Sequence, residues 1–218
     1  MAAHLWNQVV SGYRMTEKRT SLAFGVGSSG NAGSSATSST REQMKMAISF
    51  YDASVASYIQ VMGAAGGVLE KSLAHFHAKG IDPETIVDTR LAPDMLPFSF
   101  QIHSIVHHSL GAIEGIKSGV FRPPGEKPPH TYVRLQALLG DALSSLKKLS
   151  PADVNALETN DVVFEIRGMK MPFTASGFLL SFSLPNFYFH ATTAYDILRS
   201  HGAPLGKRDF MGTPRMKG

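Results

Sequence analysis

Apolar residues recur at three- and four-residue steps through four separate stretches of the chain. In the first, Val55, Ile59, Met62, Gly66, Leu69, Leu73 and Phe76 fall on one face of a helix. Ser49 with Asp52 has the spacing of a capping box, as has Ser39 with Glu42, and Ser49 is the better start. Gly80 supplies the stop. Gly63, Gly66 and Gly67 each lower the helix's own stability by up to ~1 kcal/mol. On a buried stripe they admit a neighbouring helix or leave room for a ligand. A connecting loop follows, and Asp94 then caps a second helix with Pro97 in its first turn. Gln101, Ile105, His108 and Ala112 share one of its faces. Residues 119–129 are rich in Pro and Gly and read as loop. A third helix spans about 131–149, with Leu135, Leu138, Ala142, Leu146 and Leu149 as its stripe. Ser150-Pro151-Ala152-Asp153 starts a short turn.

The period then changes. Val162, Phe164 and Ile166 alternate with polar partners, Arg167-Gly168 makes a turn, and 171–173 returns, which predicts a small β-hairpin. Thr174 or Ser176 opens a fourth helix, stopped by Gly202 and Pro204. Phe210 anchors a tail that folds back. Four amphipathic helices with one long crossover give an all-α fold, a four-helix bundle with a small hairpin before the last helix.

The first part of the chain is different. Residues 25–40 are almost wholly Gly, Ser, Ala, Thr and Asn, a composition that buries too little surface to fold. The expected organisation is a disordered or linker-like extension over 1–45, a folded domain over 46–212 and a frayed tail over 213–218. Arg14, Lys18 and Arg19 against Glu17 give the extension a faint likeness to a mitochondrial transit peptide; otherwise the expected compartment is the cytoplasm. The net charge of +4 gathers towards the two ends without aromatic–basic interleaving, so no nucleic-acid partner is expected. No apolar run is long enough to span a membrane. The absence of cysteine rules out disulfides, thiolate metal sites and cysteine nucleophiles.

Candidate chemistry concentrates in residues 184–199, Leu-Pro-Asn-Phe-Tyr-Phe-His-Ala-Thr-Thr-Ala-Tyr-Asp-Ile-Leu-Arg. Pro185 inside a helix strips one backbone hydrogen bond and kinks the axis. Asn186 and His190 stand four apart beside it, on one face. Gln101 and His108 from the second helix, with Asn186, His190 and Tyr195 from the fourth, supply the few polar groups of an apolar small-molecule pocket, and an imidazole there suits a general base. The bland alternative is a core histidine that has found a hydrogen-bond partner. His103 and His107, also four apart, read as exposed residues on a helix back. His75 and His77 suit a helix C-terminus through the helix dipole. There is no nucleophile elbow, phosphate-binding glycine loop or catalytic carboxylate pair.

Residues 184–199 followed by Gly206-Lys207-Arg208-Asp209-Phe210 resemble the closing signature of a family of unknown function within the DinB/YfiT-like superfamily. A second block, Gly80-Ile81-Asp82, Arg90-Leu91-Ala92-Pro93-Asp94-Met95, Gln101 and His108, resembles it too. The likeness runs from about residue 49 to 212. It implies a four-helix bundle, often with a divalent metal such as zinc or nickel between helices. In better-known members three histidines hold the metal, one from the second helix and two from the fourth. His108 and His190 match two of them. Four residues after His190 this chain has Ala194, followed by Tyr195 and Asp196, and Asp196 falls on another face. Zinc ordinarily takes at least three protein ligands. The leading expectation is a small-molecule binding protein or enzyme with a cavity between the second and fourth helices. The alternatives are a metal-dependent hydrolase or transferase using His108 and His190, and a non-catalytic scaffold. Conjugation of a thiol cofactor occurs in the wider superfamily, and a homodimer through a helix face suits a bundle.

Overall fold

The structure is a computed structural model that describes residues 48–125 and 130–217. The extension read over 1–45 lies outside the described residues. From Ser49 onward the chain is predominantly helical with a small sheet. Ser49 caps α1 (Phe50–Ala53), accepting from the Asp52 amide at 3.0 Å. Ser54 breaks the helix, and α2 (Val55–Ala78) continues. After α3 (Glu84–Val87) the second long element comes as two pieces, α4 (Phe98–His107) and α5 (Leu110–Ser118). The helix therefore starts after Pro97, not at Asp94. Strand β1 (Val120–Phe121) and α6 (Tyr132–Lys147) follow, with Thr131 capping α6 through the Arg134 amide. Ser150 caps α7 (Pro151–Asn155) in the same way, and a 3-10 turn leads into the sheet.

Strands β2 (Asp161–Ile166) and β3 (Met169–Thr174) form the expected hairpin. Arg167 at φ 49° and Gly168 at φ 82° make its two-residue turn, both left-handed as a tight hairpin requires. The sheet is larger than a hairpin, however. β1 adds in parallel to β2, with Val120 opposite Val163 and Phe121 opposite Phe164. Two residues are too few to show alternation, so no sequence period marks them.

The final helical run comprises α8 (Ala175–Phe178), a π-helical segment (Leu179–Ser183) and α9 (Leu184–Ser200). Thr174 caps it through the Gly177 amide. The chain ends with α10 (Lys207–Met211) folded back on α2, where Lys71 pairs with Asp209 at 3.0 Å. Phe210 meets the Tyr195 ring edge-on at 5.8 Å. Arg215 also reaches back, donating to the Asp52 carbonyl at 3.2 Å.

In the core α9 packs on α4, and α6 packs on both α2 and α4. Tyr132 is wholly buried between them, its ring stacked on Phe98 at 5.8 Å and its hydroxyl donating to the Leu69 carbonyl at 3.0 Å. The buried stripe of α2 differs from the expected one. Tyr58, Val61, Val68 and Ser72 are buried, whereas Ile59, Gly66 and Leu73 are half-exposed. Among the described residues nothing comes near where a side chain would stand on Gly63, Gly66 or Gly67, so no described helix presses on them. The close approach on α2 comes at Ala64, which Gly212 passes at φ 61°; a Cβ on Gly212 would sit 3.0 Å from that of Ala64. Among the described residues no helix is long and apolar enough to cross a membrane.

Candidate functional site

Two helix irregularities face each other. α4 stops at His108, and Ser109 takes φ −116° and ψ −85° before α5 resumes. Ser109 closes this break with its hydroxyl, donating to the Ile105 carbonyl at 2.7 Å. Opposite lies the π segment Leu179–Ser183, directly before Leu184-Pro185. Pro185 thus lies inside the continuous helical run, at the junction of its π segment with α9. It has no N–H to offer the turn before it, and a π turn is one way to rearrange the carbonyls left over. Asn186 serves the same need, since its side-chain amide donates to the Phe182 carbonyl at 2.7 Å.

One buried hydroxyl joins the two irregularities. Ser183 donates to the His108 carbonyl at 2.7 Å. Its single proton being spent there, it accepts from the Tyr58 hydroxyl, also at 2.7 Å. Both side chains are fully buried, and burial pushes the Tyr58 phenol well above its usual range. The α4 break is thereby fixed against the last helix, and the His108 ring with it.

The His108 and His190 rings lie nearly parallel, 15° apart, with centres 5.7 Å from each other. Gln101 holds His190. Its amide nitrogen donates to the Leu96 carbonyl at 2.8 Å, which leaves its oxygen facing His190 Nδ1 at 2.7 Å. An amide oxygen only accepts, so Nδ1 carries the proton and Nε2 keeps a lone pair. His108 is 1% exposed, and its Nδ1 is buried with no hydrogen-bond partner. Burial pushes both imidazoles down, His190 to about 4 and His108 well below the usual histidine range, with the neighbouring His107 adding to both shifts. Both rings are therefore neutral at pH 7.

Aromatic rings close the surroundings. His107, Phe121 and Phe182 stand 5.2, 5.6 and 5.8 Å from His108, and Phe100 stands 5.8 Å from His190. Gly115 makes the Phe121 position available, since a Cβ there would meet the Phe121 ring at 2.9 Å. His103 and His107 are not the exposed pair that their spacing suggested. His103 is buried with its ring 4.6 Å from His130, and His107 stacks on Phe121 at 4.4 Å. Breaking α4 at His108 and folding β1 across it covers this flank. His75 and His77 do sit in the last turn of α2.

Of the five pocket residues expected from the sequence, the structure brings together Gln101, His108 and His190. Asn186 is spent on the backbone, and Tyr195 faces Phe210 beside Ala65 and Val68. Ser183 and Tyr58 were not anticipated. The signal available for Ser183 was its place just before Leu-Pro. No group of three or more His, Asp or Glu side chains able to hold a metal ion occurs among the described residues. Two imidazoles alone do not make the donor set that zinc ordinarily requires, so the described residues do not by themselves complete a metal site.

These features define a helical protein with a buried, neutral histidine pair where two interrupted helices meet. Its fold is similar to that of a DinB family member protein from Shewanella denitrificans, solved by crystallography. The TM-score is 0.65 at 24% identity, over 77% of this chain and 94% of that one. Residues 50–211 match the domain of unknown function DUF1993, and the chain belongs to that family. No curated protein matches it.

Proposed function

We propose that the protein binds a small molecule at the His108–His190 pair, between the second long helical element and the last, and that the pair offers it neutral imidazole nitrogens. The observation that carries this reading is the unmatched Nδ1 of His108 beside a His190 whose tautomer Gln101 fixes. A buried polar atom without a partner costs roughly 1–3 kcal/mol. Such a cost is understandable where a ligand supplies the missing partner. The DinB-like helical fold supports the same placement, since the cores of helical bundles commonly hold ligand sites between facing helices. The arrangement suits a ligand with a hydroxyl, thiol or carboxylic acid proton, for which His190 Nε2 is an acceptor and, in a reaction, a general base.

The test is nitrogen-15 NMR of the imidazoles in the full-length protein at pH 7, with small alcohols, thiols and carboxylic acids added in turn. We expect His190 as the Nδ1–H tautomer, and at least one class of compound shifting both rings. The response should vanish in His108→Leu and His190→Leu. Silent rings throughout, with His108→Leu at least as stable as wild type, would make the pair a packing feature. Incubation with zinc or nickel alone, followed by elemental mass spectrometry, decides the competing reading: stoichiometric metal lost in both variants would replace ours with a metal-dependent one.

A further inference from the structure

The last helix has an outer face that the histidine pair does not use. Leu91 and Met95 from the loop before α4, with Pro185, Tyr188, Phe189 and Asp196 from α9, line an open groove of about 570 Å³. Phe189 is 55% exposed, Leu91 44% and Tyr188 39%, so three large apolar side chains are presented together. The rim is braced. The Phe98 amide donates to the Thr89 carbonyl at 2.8 Å and closes the loop at its base, while the Arg90 side chain crosses it to the Met95 carbonyl.

Asp196 is the one ionisable group in the lining besides the Tyr188 phenol, and it makes none of the ion pairs among the described residues. The arginines nearest in sequence are engaged elsewhere. Arg199 donates to the Ala203 carbonyl at 3.2 Å, and Arg90 is committed to Met95. Thr193 is committed too, donating to the Phe189 carbonyl at 2.8 Å. The groove thus joins an unpaired carboxylate to two aromatic side chains and an apolar floor. An anion is repelled there, and a neutral apolar compound leaves the carboxylate unused. A cation gains from the carboxylate, and an aromatic body attached to it gains from the ring side chains.

We propose that this groove is a second binding site, selective for an organic ammonium ion with an aromatic body, the ammonium at Asp196 and the ring against Tyr188 and Phe189. The site is distinct from the histidine pair but adjoins it: His190 is buried, and the Phe189 ring meets its ring edge-on at 5.3 Å.

Calorimetric titration of the full-length protein with phenethylammonium and with its neutral analogue 2-phenylethanol tests it. The ammonium should bind about two- to fivefold more tightly than the alcohol, the worth of a half-exposed ion pair. Asp196→Asn should remove that preference while leaving the alcohol's affinity unchanged. Asp196→Lys should move the preference to phenylacetate. Phe189→Ala should weaken both original compounds. Equal binding of ammonium and alcohol to wild type would overturn the proposal, as would a preference that survives Asp196→Asn, or no binding of phenethylammonium.

Discussion

The two faces of the last helix treat polar groups in opposite ways. On the inner face Ser183, His190 and Tyr58 are buried, and each has a named partner; only His108 Nδ1 in that cluster is left over. On the outer face large apolar side chains stand in solvent beside a carboxylate with no ion pair. Burial makes an unsatisfied polar atom costly, and exposure makes an uncovered apolar ring costly. The inner face meets the first cost with a network spanning three helices, and the outer face leaves the second standing. Substitutions on the inner face should therefore act on stability as well as on a ligand of the histidine pair, and those on the outer face mainly on binding.

The largest effect expected on the inner face is its response to acid. His190 titrates near 4 when folded and near 6.5 when unfolded, because burial disfavours its charged form. Between those values the unfolded chain binds more protons, so stability falls as pH is lowered through the window. Going from pH 7 to pH 4 should cost roughly 3 kcal/mol from His190 alone. The His108 shift has the same sign and adds to the loss. Urea denaturation at stepped pH measures this, and His190→Gln should flatten the acid limb. An acid limb unchanged by that substitution would mean that His190 is not buried neutral.

Next in size is the Ser183 bridge. Ser183→Ala strands the Tyr58 hydroxyl and removes the donor to the His108 carbonyl, which should cost about 1–3 kcal/mol. Adding Tyr58→Phe removes the stranded hydroxyl and should recover part of the loss. Additive losses in the double variant would show that the two hydroxyls do not act together.

Much of the helical layout was legible because it rests on local signals. Ser49, Thr131, Ser150 and Thr174 are caps with the side-chain bonds that their positions imply, and Arg167-Gly168 makes the turn that its residues allow. Gln101, His108 and His190 were legible through helical spacing and family resemblance. What was not legible depends on contacts distant in sequence. Ser183 matters because Tyr58 and His108, 125 and 75 positions away, converge on it. β1 exists only because β2 is there to pair with it. The glycines of α2 showed the converse: a local oddity with open space where a side chain would stand.

The smallest effect should come from Pro185. In an otherwise regular helix the proline would bend the axis, and Pro185→Ala would then straighten it and move His190. Here it stands at the junction of the π segment and α9, where the hydrogen-bond ladder is already interrupted, so its own role is weaker. The π segment is held from outside by Ser183, which Tyr58 and the His108 carbonyl grip, and the following turn is held by Asn186 on Phe182. Alanine would regain an N–H worth about 1 kcal/mol if it finds a carbonyl, and would free the unfolded chain by about 0.4–1 kcal/mol. These contributions oppose each other, so Pro185→Ala should shift stability by less than about 1 kcal/mol and leave the acid limb of His190 in place. Because Pro185 also lines the outer groove, the same variant should alter the affinity for phenethylammonium before it alters the histidine pair. The reverse order, a displaced His190 titration with the groove unaffected, would show that the proline itself aims the imidazole and that the Ser183 bridge merely follows.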